Sequence, residues 1–133
     1  MKTLKGRTIV PGKQRGKALV SAKPISFLGG IDPDSGKIVE KNHDLAGESI
    51  KDKILCFPCG HGSTVGSYVL YSLASKGFAP RAIVNQTADP VVVVGAIIAG
   101  VPMVDRIDVQ KIPNGTEVEV DADKGLVRLL EDS

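Results

Sequence analysis

Short apolar segments separated by turn residues fill the first 39 positions of the chain. Apolar residues gather at positions 8–10, 17–20, 25–28 and 37–39. The sequences between them, Pro-Gly, Gly-Gly and Asp-Pro-Asp-Ser-Gly, supply residues that preset φ or tolerate positive φ. This pattern predicts short strands joined by turns, arranged as a β-meander or a small barrel.

A buried strand, a glycine-rich loop and a helix are predicted for the middle of the chain. After a polar link over positions 40–53, the apolar run at 54–57 indicates a buried strand, and positions 58–62 form a loop. Residues spaced by three and four then form a helical stripe: Val65, Val69, Ser72 and Leu73. Gly77 ends this predicted helix as a C-terminal cap.

The order of strand and helix then repeats. Positions 81–85 are predicted as a strand, and Asp89 before Pro90 is typical of a helix start, with an N-cap followed by proline in the first turn. The helix should run to about Ala99 and stop at Gly100. Its four consecutive valines have low helix propensity, but propensity is a weak guide beside clear start and stop signals.

Further strands complete the predicted fold. Positions 101–104 are predicted as a strand, and 116–120 and 126–130 as a hairpin around a turn at 121–125. The predicted fold class is therefore α/β: a β/β/α domain with a β-rich layer or small barrel and a βαβαβ unit packed on one core. The chain has 133 residues, of which 42% are hydrophobic and 24% charged, which suits a single domain over residues 1–133.

Charge and apolar content argue against two classes of partner. The 17 basic and 15 acidic residues are scattered, and only two Tyr and three Phe are present, so nucleic-acid binding gets no support. The longest apolar stretch, 91–104, is broken by Gly95, Gly100 and Pro102 and is shorter than the roughly 20 residues that a membrane span needs. Without a signal-peptide core near the N-terminus, a cytoplasmic protein is expected.

Cys56 and Cys59 form a C-x-x-C pair, a pattern found in redox sites and in half of some metal sites. The redox pattern usually opens a helix, but a proline and a glycine interrupt this segment. A structural zinc site needs four ligands, and only His61 and the distant His43 remain as soft candidates. Free thiols and no metal on this chain are therefore expected, and the other two interpretations stay open.

Positions 60–64, Gly-His-Gly-Ser-Thr, carry the strongest chemical signal. They lie between the predicted buried strand and the predicted helix. Glycines allow a ligand to approach the backbone, and the N–H groups of a first helical turn favour an anion or a developing alkoxide at Ser63. The structural alternative is that Ser63 is only an N-cap, a role worth about 0.5–2 kcal/mol.

This pentapeptide resembles the Gly-x-Gly-Ser-Ser motif on the swivelling domain of aconitases, whose first serine removes the Cα proton of the substrate. The resemblance implies that Ser63 is the catalytic base and that Gly62 and Thr64 bind the substrate, with Thr64 in the place of the second serine. Val65 stands where aconitases carry an arginine that binds a substrate carboxylate. Tricarboxylate recognition in the aconitase manner is therefore not expected.

Nearly the whole chain resembles the small subunit of the aconitase X family, including positions 82–85, 89–90 and 100–105. The resemblance implies an aconitase-like swivelling domain and a heterodimeric hydro-lyase whose large subunit holds a [4Fe-4S] iron–sulfur cluster. The implied reaction dehydrates (R)-5-phosphomevalonate, a phosphorylated hydroxy acid, to trans-anhydromevalonate 5-phosphate in the archaeal mevalonate pathway. In it, the partner's cluster binds the leaving hydroxyl and Ser63 takes the proton α to the carboxylate.

Three alternatives stay open. The second half of the chain also resembles phosphohistidine swivelling domains, although Asp89, Pro90 and Val91 stand where those domains carry their histidine. A non-catalytic scaffold subunit fits if Ser63 is dispensable. Another β-hydroxy acid, such as hydroxyproline, suits the same chemistry.

Other polar residues have both functional and structural interpretations. Asn85 and Asp89 follow a predicted strand, where ligands of α/β proteins bind, but turn and N-cap roles explain them equally well. Arg81 or Arg106 suits a phosphate, although surface arginines are usually only solvated. His61 is a candidate proton relay, or a loop residue that faces the interface.

Overall fold

The computed structural model describes residues 2–130, and within them the chain forms eight strands and three helices. The strands are β1 (Lys2–Lys5), β2 (Arg7–Val10), β3 (Lys13–Val20), β4 (Ile54–Phe57), β5 (Ala82–Asn85), β6 (Met103–Asp105), β7 (Glu117–Asp121) and β8 (Leu126–Leu129). The helices are α1 (Phe27–Gly30), α2 (Gly66–Lys76) and α3 (Pro90–Ala99), and a 3-10 turn spans Val109–Lys111.

The strands join in one sheet in the order β1-β8-β7-β3-β4-β5-β6-β2. Strands β3 to β6 are parallel neighbours, and the other pairs are antiparallel. β3 belongs to both the antiparallel and the parallel part of the sheet, because its first residues pair with β7 and its last residues pair with β4. β1 and β2 stand at opposite ends of this order, yet only Gly6 separates them in the chain, so the sheet curls until its ends meet.

Alternate residues of the central strands face two hydrophobic cores. In β4, Leu55 and Phe57 pack with residues of α2 and α3, whereas Ile54 and Cys56 belong to the core of the curled β-rich part. All four side chains are completely buried. This alternation is what a strand between two layers requires, and it confirms the predicted β/β/α architecture.

Both predicted long helices are confirmed, together with the stop signals of both and the start signal of α3. α2 is followed by Gly77 at φ 81° and α3 by Gly100 at φ 71°, both left-handed C-caps. The carboxylate of Asp89 accepts the N–H of Val91 at 2.8 Å, and Pro90 is the first residue of α3. Along residues 2–130, no helix has the length and apolar content needed to cross a membrane.

The strands predicted after residue 50 are confirmed to within about two residues as β4 to β8. These segments combine a continuous or alternating apolar pattern with a turn residue at each end. Such local signals are sufficient where the strand is fully buried.

The prediction for the first 39 residues is partly wrong. Positions 8–10 and 17–20 do lie in β2 and β3, but 25–28 is not a strand: Ile25 makes one bridge to Gly60 and the chain then turns through α1. Positions 37–39 form only isolated bridges. No meander forms within residues 2–130, because β1, β2 and β3 do not pair with one another: β1 pairs with β8, β2 with β6, and β3 with β4 and β7.

Candidate active site

The loop that carries Ser63 leaves the carboxyl end of β4, at the edge of the sheet where the parallel strands end. The side-chain amide of Asn85, at the end of β5, donates to the carbonyl of Phe57 at 2.9 Å. The N–H of Gln86 donates to the carbonyl of Pro58 at 3.0 Å. The start of the loop is thus held against the segment after β5, at the edge where α/β sheets bind ligands.

Ile25 holds the same loop from the other side. Its N–H donates to the carbonyl of Cys59 at 3.2 Å, and its carbonyl accepts the N–H of His61 at 3.1 Å. The side chain of Ile25 is buried in the core beneath the helices. These two hydrogen bonds therefore attach the loop to the core. Ile25 thus anchors the loop and does not belong to the strand that the sequence had predicted.

Two glycines of the loop lie where no side chain fits. A Cβ on Gly60 would overlap Cγ2 of Val92 in α3. A Cβ on Gly62 would lie 2.5 Å from Oγ of Ser26, and Gly62 has a φ of +96°, which side chains rarely adopt. Packing alone therefore requires glycine at both positions of the Gly-x-Gly motif.

Ser63 is exposed and lies three residues ahead of α2. Its Oγ accepts the N–H of Val65 at 3.1 Å, and its carbonyl accepts the N–H of Gly66 at 3.0 Å. Because the helix begins at Gly66 with Val65 in the N-cap position, Ser63 caps a turn ahead of the helix rather than the helix itself. Within residues 2–130, the hydroxyl proton of Ser63 is donated to no acceptor.

The backbone around Ser63 offers free hydrogen-bond donors. Among residues 2–130, no acceptor binds the N–H groups of Gly62, Ser63 and Thr64. Successive N–H groups in a turn that includes a left-handed residue form a concave site for anions. This turn is therefore suited to hold an oxygen atom of an anionic substrate beside the hydroxyl of Ser63.

A groove of about 300 Å³ begins at Thr64 and lies between α2 and α3. Its lining is mostly apolar and consists of Thr64, Ser67, Tyr68, Pro90, Val91, Val94 and Ile98. We call it the α2–α3 groove. Its volume is at the lower limit for small-molecule pockets, and its polar groups are few.

Asn85 and Asp89 have structural roles in this region. Asn85 is completely buried, and its Oδ1 has no hydrogen-bond partner within residues 2–130. Asp89 caps α3 through the N–H of Val91, and its Oδ2 borders the space beside Gly60. The N-cap interpretation accounts for Asp89, whereas Asn85 has a structural partner for its amide nitrogen but none for its Oδ1.

The two candidate arginines lie at opposite edges of the sheet. Arg81 precedes β5 and donates from Nη1 to the carbonyl of Arg15 at 2.8 Å, which places it at the edge away from Ser63. Arg106 follows β6 on the same edge as Ser63, in a left-handed conformation with φ 61°. Of the two, Arg106 lies at the carboxyl ends of the parallel strands, where the Ser63 loop also begins.

The two histidines have different surroundings. His61 is half exposed, and within residues 2–130 it forms no hydrogen bond with Ser63. His43 is buried, with Nε2 3.1 Å from the carbonyl of Pro24, and its Nδ1 accepts the N–H of Leu45 at 3.0 Å. Because both ring nitrogens bind backbone atoms, His43 fixes a loop and is not available as a metal ligand.

An ion pair between the half-exposed Arg7 and the buried Asp105, which the sequence did not reveal, supports the loop after β5. Asp105 accepts from Nε and Nη2 of Arg7 at 2.9 and 2.8 Å, and from the N–H of Ala88 at 3.1 Å. Burial would raise the pKa of Asp105, but these hydrogen bonds outweigh it and hold the pKa below its usual range. The partners are 98 residues apart, so no local pattern could have indicated the pair.

The two cysteines of the C-x-x-C pair have different surroundings. Cys56 is completely buried in β4, and burial raises the pKa of its thiol. Cys59 is partly exposed, and both thiols are free. Residues 2–130 hold no group of three or more His, Cys, Asp or Glu that suits a metal. Since an iron–sulfur cluster is bound by several cysteine thiolates, these residues do not fit one.

Residues 3–129 match the family described as the aconitase X swivel domain. The chain is similar to three proteins named phosphomevalonate dehydratase small subunit. That of Thermococcus sibiricus is 59% identical, over 96% of this chain and 98% of the relative. That of Thermococcus kodakarensis is 54% identical over 97% of each chain, and that of Methanocaldococcus jannaschii is 50% identical over 96% of this chain and 97% of the relative.

Two solved structures have the same fold at high sequence identity. The crystal structure of Thermococcus kodakaraensis aconitase X in its holo-form superposes with a TM-score of 0.97 and 52% identity, over 98% of this chain and all of the other. The solution NMR structure of a UPF0107 protein superposes with a TM-score of 0.88 and 42% identity, with the same coverage of both chains.

Proposed function

The chain belongs to the aconitase X swivel domain family, and on that premise we propose that it is the small subunit of a hydro-lyase that dehydrates (R)-5-phosphomevalonate to trans-anhydromevalonate 5-phosphate. The observation that carries the proposal is similarity over nearly the whole chain: relatives at 50–59% identity bear the name phosphomevalonate dehydratase small subunit. The reaction would belong to the archaeal mevalonate pathway.

Ser63 is the proposed base. The substrate loses a proton from the carbon next to its carboxylate and a hydroxyl from the adjacent carbon. The Ser63 hydroxyl is exposed and accepts one hydrogen bond, from the N–H of Val65, so its oxygen is accessible to a C–H group. General base catalysis of this kind is worth typically 10²–10⁴-fold in rate.

The free N–H groups of Gly62 and Thr64 are the proposed substrate contacts of this chain. They flank Ser63 and lack an acceptor within residues 2–130, so they can bind a carboxylate oxygen while the hydroxyl faces the proton to be removed. Val65 is exposed and apolar at the position after Thr64. Its side chain therefore supplies no positive charge to bind a second carboxylate of a substrate.

Activation of Ser63 requires groups from outside this chain. A serine hydroxyl is a weak base unless its anion is stabilised, and the N-terminus of α2 supplies at most about 2 kcal/mol. Within residues 2–130, no side chain forms a hydrogen bond with the Ser63 hydroxyl. We therefore assign the remaining stabilisation to cationic groups of a large subunit, with which this chain forms a heterodimer or a higher assembly.

The large subunit is also the proposed holder of the [4Fe-4S] cluster that the family implies. Support comes from the two cysteines of this chain, one of which is completely buried with a raised thiol pKa. Neither belongs to a cluster of potential metal ligands within residues 2–130. Each subunit would then contribute a different part of one active site.

The first test is dehydration of mevalonate 5-phosphate by this chain co-expressed anaerobically with its large subunit. We expect Ser63→Ala to lower kcat/KM by at least about 10²-fold while the assembly stays intact. Ser49→Ala is the matched control, because Ser49 Oγ also accepts the N–H two residues ahead, from Lys51 at 3.2 Å, but lies in another loop. That variant should keep full activity, and the small chain alone should show none.

Each other outcome has a defined meaning. Full activity of Ser63→Ala would make this chain a scaffold and contradict the assignment of the base. No activity in either version would contradict the assigned substrate, and hydroxyproline would be the next β-hydroxy acid to assay. Dehydration by the isolated small chain would contradict the shared active site.

A further inference from the structure

The outward sides of α2 and α3 form one exposed apolar surface, which we call the apolar helix face. It consists of Val65, Tyr68, Tyr71, Val94, Ile97 and Ile98. The side chains of Tyr68 and Ile97 are 69% and 58% exposed. α3 carries no charged residue, and α2 carries only Lys76 at its far end. The face thus combines large apolar side chains with a lack of charge, as the centre of a protein interface does.

The fold itself does not need these outward side chains to be apolar. Each helix has a second, buried side, formed by Leu70 and Leu73 in α2 and by Val92 and Ala96 in α3, which fills the core against the sheet. A surface helix normally carries polar residues opposite its buried stripe. Contiguous exposed apolar patches on a soluble protein usually mark an interaction site.

The two helices also shape the middle of this face. Gly95 of α3 packs so closely on α2 that an added Cβ would lie 3.2 Å from Cα of Ser67, and Ser67 Oγ donates to the carbonyl of Val91 at 2.6 Å. Beside this contact, the α2–α3 groove opens between Tyr68 and Val94. Its volume of about 300 Å³ is large enough for an apolar side chain from a partner.

We propose that the apolar helix face docks the large subunit and that the α2–α3 groove takes an apolar side chain of that subunit. The inference rests on the proposed function, which requires the partner to reach Ser63. Thr64, the next residue, already lines the groove, and Val65 belongs to the face. A partner that covers the Ser63 loop therefore continues directly onto the two helices.

The same continuity argues against a second copy of this chain as the occupant. A copy seated on the face would also cover Thr64 and would stand between Ser63 and the large subunit. The chemistry of the surface calls instead for aliphatic or aromatic side chains on the large subunit, with one residue inserted between Tyr68 and Val94 and few ion pairs at the centre.

The test measures the affinity between the separately purified small chain and large subunit by isothermal titration calorimetry. Val94→Glu and Ile98→Glu each place a charge in the groove and should raise Kd by about 30-fold or more, the effect expected at the centre of an interface. The matched control is Thr3→Glu, which adds the same charge at an exposed β-branched residue of β1. It should leave Kd unchanged.

A third variant separates loss of binding from loss of folding. Tyr68→Ala only truncates a side chain that is 69% exposed, so it should weaken binding while the thermal unfolding of the isolated chain stays as in the wild type. Unchanged affinity in all three variants would overturn the proposal. A dimer of the small chain that forms through this face and persists in the assembly would overturn it in favour of a second copy.

The outcome is separable from that of the proposed function. Binding is measured without turnover, and Ser63→Ala should bind the large subunit normally while lacking activity. Suppose that Val94→Glu loses binding and that Ser63→Ala, assembled with the large subunit, keeps full activity. That result would contradict only the assignment of Ser63 as the base. Normal binding of all three variants with an inactive Ser63→Ala would contradict only the docking surface.

Discussion

At the scale of single residues, the orientation of Ser63 is set by backbone atoms alone. The N–H of Val65 binds its hydroxyl oxygen, and the loop around it is fixed by hydrogen bonds to Ile25 and Gln86. Nucleophilic or basic serines commonly have a base of their own chain within hydrogen-bond reach. Here residues 2–130 supply the position of the hydroxyl, and in the proposed function its activation is assigned to the large subunit.

Gly62→Ala tests how strictly the loop fixes that position. We expect the variant to lose about 1–2 kcal/mol of unfolding free energy because alanine is strained in the left-handed conformation at φ +96°. A further loss should follow from the clash of the new methyl group with Ser26 Oγ, 2.5 Å away. Urea unfolding of the chain and kcat/KM of the assembly are the measurements, and both should fall.

The control for this variant is Gly115→Ala. Gly115 has a similar φ of +86°, but its Cβ would meet no atom within 4 Å, so this variant should show only the conformational loss. Activity of the assembly should remain. Equal losses of stability and activity in the two variants would show that the contact with Ser26 does not hold the loop.

At the scale of the elements, the contact between α2 and α3 at Gly95 supports both the core and the groove. Replacing a helical glycine by alanine normally stabilises a helix by about 1 kcal/mol. At Gly95 the added Cβ would lie 3.1 Å from Cδ2 of Leu70 and 3.2 Å from the backbone of Ser67, so the helices must move apart. The packing loss and the propensity gain therefore oppose each other.

We expect the packing loss to be the larger effect, because the close atom of Ser67 is backbone and cannot rotate away. Gly95→Ala should lower the midpoint of urea unfolding. The propensity effect can be measured independently with Ala74→Gly in α2, which should cost about 1 kcal/mol. A rise in stability of Gly95→Ala by that amount would show that the helices are free to separate.

The elements also show which features a sequence can reveal. α3 was predictable because Asp89, Pro90 and Gly100 mark its ends within a few residues of the helix itself. The helical turn at Phe27 was not, because its apolar residues indicate burial in either kind of element. The strand pairs of β1 and β2 were not predictable either, since their partners come from the second half of the fold.

In the candidate site, too, only the features with a local sequence pattern were predictable. Ser63 and its two glycines form a short contiguous motif, so both a chemical argument and a resemblance could find them. The pair of Arg7 and Asp105 joins positions 98 residues apart and has no local pattern. The exposure of the apolar helix face could not be predicted either. A run of valines indicates a buried helix or strand, and the sequence does not show which side of the helix another layer covers.

At the scale of the whole molecule, the pair of Arg7 and Asp105 holds β2 to β6 where the sheet ends. Gly6 lies just before it and donates to the carbonyl of Gly125 at 2.7 Å, so this point joins both ends of the sheet. Asp105 also accepts from Ala88, in the segment that supports the Ser63 loop. One carboxylate therefore links closure of the sheet to the candidate site.

This link predicts a pH dependence of stability. The folded pKa of Asp105 lies below the unfolded value of about 3.9, so its stabilisation is present above that pH and is lost as the pH falls through the folded pKa. Asp105→Asn should cost about 1–3 kcal/mol at pH 7, because a neutral amide replaces the charged acceptor of the hydrogen bonds from Arg7 and Ala88. The difference from the wild type should shrink below about pH 4.

Unfolding in urea at several pH values is the measurement. Glu48→Gln, at an exposed residue, should match the wild type throughout. A difference between Asp105→Asn and the wild type that stays constant down to the acid limit would show that the carboxylate charge has no part in closing the sheet.

The α2–α3 groove has a consequence for inhibition. In the proposed assembly, a compound that mimics the substrate would compete inside a site completed by two chains and would carry the charges of the substrate. A compound that fills the groove of about 300 Å³ needs no charge and would act by keeping the chains apart. Its potency would then depend on the concentration of unassembled subunits and not on that of the substrate.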